Sequence, residues 1–265
     1  MLDLSALGQR FREDGVIKLD AVLDQDFLDG ARACYDWSLS HKGPHGKGGG
    51  WLNEGSDSFE DKANPDAPTV YEALLRNGPL ADLAAELWGA EETWFMYEQV
   101  FRKTGACRRT PWHQDSSYLA VDGEHLIVFW ISFAAVPKAE ALEFVSGSHH
   151  GPLYNGSTFK IDDPTQPIYP EDELPRLPDI DRAPADWDIV SWDVEPGDVL
   201  AFHPKVLHGG GATTHAMRET VSLRFFGPDT IYASRPGPCG PRIAGLHDRL
   251  NDGDAFRHPA FLKLR

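Results

Sequence analysis

This chain has few cysteines, few basic residues and no long apolar run. Its three cysteines, Cys34, Cys107 and Cys239, are scattered, odd in number and include no C-x-x-C pair. That argues against a disulfide framework and predicts reduced, structurally incidental thiols in a cytosolic protein. Against 41 acidic residues stand only 25 Lys and Arg, a formal net charge of −16. Nucleic acid and anionic membrane surfaces reward basic patches, so neither is an expected partner. An anionic small molecule stays admissible, because a pocket's local charge can oppose the global sign. No apolar run approaches membrane-spanning length, and the first ten residues lack the apolar core of a signal peptide. The expectation is a soluble cytoplasmic protein. Net charge bears on solubility and leaves the oligomeric state open. With 265 residues the chain can bury a sizeable core, and one domain over 1–265 is expected, since all-β barrels and sandwiches run to this length.

What is present falls into two textures. The first ninety residues look helical and partly looped. Asp3 can cap a short helix with Leu4, Leu7 and Phe11 on one face, and a brief strand follows at 16–19. Asp24 is a second candidate N-cap, before Phe27, Leu28, Ala31, Tyr35 and Leu39 at helical spacing. Gly43, Gly46, Gly48, Gly49 and Gly50 predict a mobile loop over 43–55; Lys47 among them lacks the spacing of a phosphate-binding loop. Pro79 opens a helix carrying Leu80, Leu83, Ala84 and Leu87, and Gly89 stops it. From 92 to about 228 the texture is β. Strands are expected at 92–103, 125–136, 142–145, 189–194, 199–203 and 220–226, with a Pro-Gly-Asp turn at 196–198. Many short strands without alternating βα units predict a sandwich or barrel of antiparallel sheets. Residues 151–188, rich in Pro and Asp, read as a lid loop over a pocket. Residues 229–265 read as an extended wrap.

The chemistry-bearing residues sit in the β part. Residues 111–115 read Pro-Trp-His-Gln-Asp, and a distant segment reads Phe-His-Pro-Lys-Val-Leu-His-Gly-Gly at 202–210. In a strand successive side chains alternate faces, so His113 and Asp115 are expected to point the same way. With His208 from a remote strand they could occupy one side of an octahedral metal and leave its other positions open, as non-heme Fe(II) oxygenases require. His203, just before Pro204, is read as structural. His149 and His150 are read as finishing a turn.

The ordered set of motifs resembles the phytanoyl-CoA dioxygenase family of Fe(II)/2-oxoglutarate-dependent oxygenases. The matching pieces are Phe11 to Leu19, Arg102-Lys103, Trp112 to Ser116, Trp130, Leu142 to His149, Pro196-Gly197-Asp198, His208-Gly209 and Arg218. H-x-D alone is a weak motif, but this order is specific. The resemblance implies a double-stranded β-helix, a jelly-roll variant, with N-terminal helices packed outside it. It implies His113, Asp115 and His208 as iron ligands, and Fe(II), 2-oxoglutarate and O₂ as cofactor and co-substrates. Arg218 takes the place of the family's co-substrate arginine, Arg224 competes through shared strand parity, and Lys103 and Trp130 would line the 2-oxoglutarate pocket. A guanidinium suits the remote carboxylate because its planar fork donates two parallel hydrogen bonds. The implied reaction hydroxylates an unactivated C–H bond and releases succinate and CO₂. Related halogenases replace the ligand carboxylate by a small residue, so Asp115 favours hydroxylation.

Substrate contacts are less specified. Tyr97 and Gln99 share a face with Lys103, while Trp51, Asn53, Ser117 and Tyr118 lie in or beside loops near the His113 strand. No basic tract suited to a CoA phosphate is visible. A small polar or anionic metabolite, such as an organic acid, an amino-acid-like molecule or an organophosphonate, therefore fits at least as well as an acyl-CoA. Two other readings stay open at this level. One is a non-catalytic jelly roll that binds metal or an oxo-acid; the other is a cupin-like metalloenzyme that does not use 2-oxoglutarate.

Overall fold

A computed structural model describes residues 3–48, 57–170, 172–214 and 217–265. Four helices come first. In α1 (Leu4–Asp14) the Asp3 carboxylate accepts the Ala6 N–H at 3.1 Å, and Gly15, left-handed at φ 73°, ends the helix. A side chain at Gly15 would also strike the His149 ring. In α2 (Gln25–Ser40) Asp24 caps the Phe27 N–H at 2.8 Å. After α3 (Ala67–Asn77), α4 (Leu80–Trp88) stops at left-handed Gly89. Each cap satisfies a backbone group that the helix itself cannot.

The strands are β1 (Val16–Leu19), β2 (Lys47–Gly48), β3 (Asp57–Lys62), β4 (Trp94–Thr104), β5 (Thr110–His113), β6 (Val121–Asp122) and β7 (Leu126–Ser132). They continue with β8 (Leu142–Val145), β9 (Ile189–Val190), β10 (Val199–Phe202), β11 (His208–Gly210), β12 (Met217–Phe226), β13 (Ile231–Tyr232) and β14 (Leu262–Lys263). A large antiparallel sheet runs β1-β10-β7-β12-β4-β3-β2, with β14 also on β4. A smaller one runs β5-β11-β8-β9. Together they form the double-stranded β-helix expected from the resemblance.

Strand alternation sorts the large sheet. Val221, Leu223 and Phe225 of β12 point outward with Ile127, Phe129 and Ile131, into one core with Phe11, Phe27, Tyr35, Leu75 and Leu87 from the helices. The intervening residues of β12, Arg218, Thr220, Ser222 and Arg224, stand in register with Lys103, Phe101, Gln99 and Tyr97 of β4. The sheet is thus apolar where helices cover it and polar over much of the face turned toward the small sheet. Val128, Trp130, Phe144, Leu200 and Phe202 close the dry end of that inner space.

Two expectations need correction. Residues 57–62 form a strand, although Asp-Ser-Phe-Glu-Asp-Lys has no β signature; pairing with β4 supplies the order that propensity does not. Part of the expected 43–55 loop is paired, with Lys47 opposite Glu60 and Gly48 opposite Phe59; Trp51 and Asn53 lie outside the described residues. Residues 151–188 are built of turns, including short 3₁₀ segments at Ile180–Arg182 and Pro184–Asp186. Asn155 pins them: its side chain donates to the Tyr169 carbonyl and accepts from the backbone N–H groups of Ile168 and Tyr169. The C-terminal stretch pairs through β13 on β6 and β14 on β4 and holds one short helix, α5 (Leu246–Arg249). Among the described residues no helix is long and apolar enough to cross a membrane.

Phe225 is fully buried between helices and sheet. Phe225→Ala is expected to cost about 3–5 kcal/mol of unfolding free energy, the usual range for such a cavity, read by denaturant titration.

Candidate metal centre

Two histidines face each other because two strands pair. His113 ends β5, His208 begins β11, and the two are Cα partners in the antiparallel ladder. Their ring centroids are 4.2 Å apart. Asp115 is not on the strand, as the spacing had suggested, but opens a 3₁₀ turn over Asp115–Tyr118. Gln114 between them is still extended (φ −115°, ψ 127°), so the alternation persists one residue past β5 and returns Asp115 to the face of His113. Gln114 itself points the other way into a fully buried niche. Its amide donates to the carbonyls of Pro152 and Lys205, and its oxygen accepts the Tyr154 N–H at 2.7 Å. That one side chain ties the turn to two other segments.

The donor atoms suit a divalent metal. Asp115 Oδ1 lies 3.6 Å from His113 Nε2 and 4.0 Å from His208 Nε2, and one donor atom from each residue falls within 4.8 Å of the others. Each ring's Nδ1 faces a backbone carbonyl, Pro111 for His113 at 2.9 Å and Val206 for His208 at 3.0 Å. A carbonyl only accepts, so Nδ1 carries the proton and the Nε2 lone pair is left toward the shared centre. Burial, with His113 alongside, pushes the His208 imidazolium down to about 3, so that ring is neutral. Phe144 and Phe202 back it. The small residues after it are sterically required, since a Cβ on Gly211 would sit 2.5 Å from the Ala139 carbonyl oxygen.

Arg224 is the residue whose position the sequence left unsettled. Its Nη2 donates to Asp115 Oδ2 at 2.7 Å and to Gln99 Oε1 at 2.6 Å, while the guanidinium lies 4.7 Å over the Tyr97 ring. Gln99 passes the chain on to Glu60 at 2.7 Å. Burial alone would raise the Asp115 carboxyl, but Arg224 and the two imidazoles outweigh it and hold that carboxyl well below its usual range. Arg218 is elsewhere. It stands in register with Lys103 and donates to the Glu140 carbonyl. Lys103 does line the cavity and donates to Thr110 Oγ1 at 3.2 Å.

The cavity over the three side chains holds about 350 Å³. Tyr97, Gln99 and Lys103 line it as expected, and Tyr118 joins them. Ser117 does not; it is buried and donates to the Tyr154 carbonyl. Trp130 does not either, packing instead with Phe144 and Phe202 in the dry end of the barrel. Asn53 is outside the described residues. Phe159, which the sequence did not single out, meets His113 edge-on at 5.2 Å and stacks on Tyr118 at 6.0 Å. It is held at φ 57°, with its carbonyl on Arg108 and its N–H on Ser157 Oγ. His203 bonds the Gly123 carbonyl and His149 the Arg12 carbonyl, which fits their structural reading.

A double-stranded β-helix with a His-x-Asp…His cluster opening on a cavity defines the class of non-heme iron, 2-oxoglutarate-dependent oxygenases. A family model described as phytanoyl-CoA dioxygenase matches residues 11–220, and the chain belongs to that family. The family is described as one of dioxygenases, and His113, Asp115 and His208 are the residues here that could hold a metal ion. The peroxisomal phytanoyl-CoA dioxygenase of Rattus norvegicus is 27% identical over 141 residues, 51% of this chain and 39% of that protein. This chain thus matches about two fifths of that relative's length. Among solved structures, the epimerase SnoN in complex with Fe3+, alpha-ketoglutarate and a nogalamycin compound superposes with a TM-score of 0.71 at 18% identity, covering 99% of this chain and 98% of that one. EctD from S. alaskensis, with 2-oxoglutarate and 5-hydroxyectoine, gives 0.68 at 19% identity over 96% and 86%. Such identities speak to the fold.

Removing a side chain that orients a metal ligand commonly costs 10–100-fold in affinity. Arg224→Met is therefore expected to weaken Zn(II) or Fe(II) binding by about that factor while the chain stays folded, as read by chelator competition. Unchanged affinity would show that Arg224 does not orient Asp115.

Proposed function

We propose that the chain is an Fe(II)/2-oxoglutarate-dependent oxygenase that hydroxylates an unactivated C–H bond of a small-molecule metabolite in the cytoplasm, with residues 1–265 acting as one domain. The observation that carries this reading is the convergence of His113, Asp115 and His208 at one wall of the cavity, with both Nε2 atoms turned to the same carboxylate oxygen.

On this reading the two Nε2 atoms and Asp115 Oδ1 hold the iron from one side. The bound metal and co-substrate supply O₂ activation coupled to decarboxylation of 2-oxoglutarate to succinate and CO₂. The protein's part is positioning and exclusion of water. The Pro111 and Val206 carbonyls fix the ring orientations, and Arg224 occupies Oδ2 so that Asp115 offers a single oxygen. Phe159 and Tyr118 shield one side of His113. Because Asp115 fills the position a halide would need, hydroxylation is favoured over halogenation.

Arg218 and Lys103 are the pair we assign to the remote carboxylate of 2-oxoglutarate. Thr110, which Lys103 touches, lies three residues before His113 on β5, so the pair stands about 10 Å along the strand from the metal wall. That is close to the reach of a five-carbon diacid chelated at one end. Arg224 is a poorer candidate because its guanidinium bonds Asp115, the carboxylate that would itself hold the iron.

Anaerobic addition of Fe(II) and 2-oxoglutarate is expected to give a weak visible charge-transfer band that Asp115→Ala abolishes. A folded, iron-loaded protein without the band would overturn the reading. Arg218→Ala should raise the 2-oxoglutarate concentration needed for turnover and leave metal bound; the same result from Arg224→Ala alone would reverse the assignment. Two neighbours are named as an epimerase and a carbocyclase, so the outcome should be read directly as gain of one oxygen by mass spectrometry.

Lys103 supplies a proton-linked test. Burial, aided by the Arg218 charge, pushes its ammonium down to about 7, so above that pH the amine is mostly neutral. A carboxylate brought beside it favours the charged form, so 2-oxoglutarate binding on the alkaline side should take up a proton. Calorimetry in buffers of different ionisation enthalpy should detect this uptake, and Lys103→Met should remove it. No proton linkage in the wild type would take Lys103 out of the co-substrate site.

A further inference from the structure

The cavity reverses the sign of the protein. The chain carries 41 acidic against 25 basic residues, yet among the described residues six cationic side chains and two carboxylates line this space. One of those carboxylates is Asp115, already held by Arg224. The other, Glu60, accepts from Gln99 and lies 3.8–3.9 Å from Lys47 and Lys62. Lys103 belongs with Arg218 at the end assigned above to 2-oxoglutarate. Arg108 and Arg242 then stand in excess, with Lys62 and Lys47 sharing one carboxylate.

Of these, Lys47, Lys62 and Arg242 are partly or fully exposed, which places them toward the mouth. Arg242 is exposed and makes no hydrogen bond or ion pair among the described residues, although it follows a buried proline that helps line the cavity. Lys62 stands in register with Gln99, whose side chain bonds the Arg224 that holds Asp115, so it reaches toward the metal wall. Arg108 gives one guanidinium nitrogen to the Phe159 carbonyl. Like charges crowded around one opening destabilise the empty protein unless something anionic enters. Nearer the metal wall the lining is apolar and aromatic, with Tyr97, Tyr118, Leu119 and Phe159.

We propose that the primary substrate is a small oxyanion, a carboxylate or phosphonate, whose charged head is held at the rim by Lys62 and Arg242 and whose apolar body reaches the metal wall beside Phe159 and Tyr118. This inference rests on the oxygenase reading above and adds the substrate class. The anion is additional to 2-oxoglutarate, because Lys62 pairs with Gln99, four residues along β4 from the Lys103 that stands beside Arg218. Substrate orientation follows: the carbon attacked is remote from the anionic group.

Calorimetric titration of the protein loaded with Zn(II) and 2-oxoglutarate tests this with four probes: benzoate, phenylphosphonate, and their neutral partners benzamide and dimethyl phenylphosphonate. At least one anion should bind about tenfold or more tightly than its neutral partner, the factor expected from one charge-assisted hydrogen bond. Added sodium chloride should weaken it. The Lys62→Met/Arg242→Gln double variant should lose that margin, and Arg10→Gln on α1 should keep it. Preference for benzoate or for phenylphosphonate assigns the head group. Equal binding of charged and neutral partners, no binding by either anion, or an unaffected double variant would overturn the proposal. The visible band of the wild type with Fe(II) and 2-oxoglutarate separates the two failures. If the band forms and the anions show no preference, only the substrate class is wrong; if the band is absent, the oxygenase reading fails first.

Discussion

The antiparallel pairing of β5 with β11 is the constraint on which the site depends. It makes His113 and His208 direct partners across a ladder whose strands lie nearly a hundred residues apart in the chain. Backbone hydrogen bonds, stronger in aggregate than any contact between the two rings, set their separation. Gln114 then holds the chain extended for one more step and anchors the following turn through three buried hydrogen bonds. A rigid ladder and a pinned turn together present three donor atoms toward one point. Such preorganisation lets an iron site select its geometry and still leave positions open.

A second constraint is the division of the large sheet into a dry face and a wet one. Outward residues of β12 and β7 are large and apolar because four helices cover them. Along β4 and β12, inward residues carry cations, amides and hydroxyls because they face a cavity rather than a packed core. Burying charges this way is costly, and it is offset locally: Arg224 by Asp115, Gln99 and the Tyr97 ring, and Lys62 in part by Glu60. The helices supply the stability, and the inner face is free to carry chemistry.

Much of this was legible in the chain. Asp3, Asp24, Gly15 and Gly89 act at helix ends as their types suggest, and the strand at 142–145 lies where its alternating residues place it. His113, Asp115 and His208 stood out through the order of the motifs around them. The misses share a cause. β3 is too polar to announce itself, Phe159 sits in a segment without periodicity, and Ser117 and Trp130 differ from true cavity residues only in the direction their strands or turns give them. Propensity and pattern report on local backbone and on burial, and neither says which side of a cavity wall a side chain takes.

What the sequence determined by itself was the inventory: two imidazoles and a carboxylate in the right order, arginines of matching parity on one strand, glycines where the backbone must turn tightly, and an acidic surface. What only the tertiary structure decided was which arginine touches Asp115, which serine turns away, and that six of the described cations of an acidic protein line one cavity. The reason is physical. Covalent order fixes neighbours two to four residues apart, whereas contacts between β4, β5, β11 and β12 are set by sheet register, and register is fixed by the packing of the whole domain.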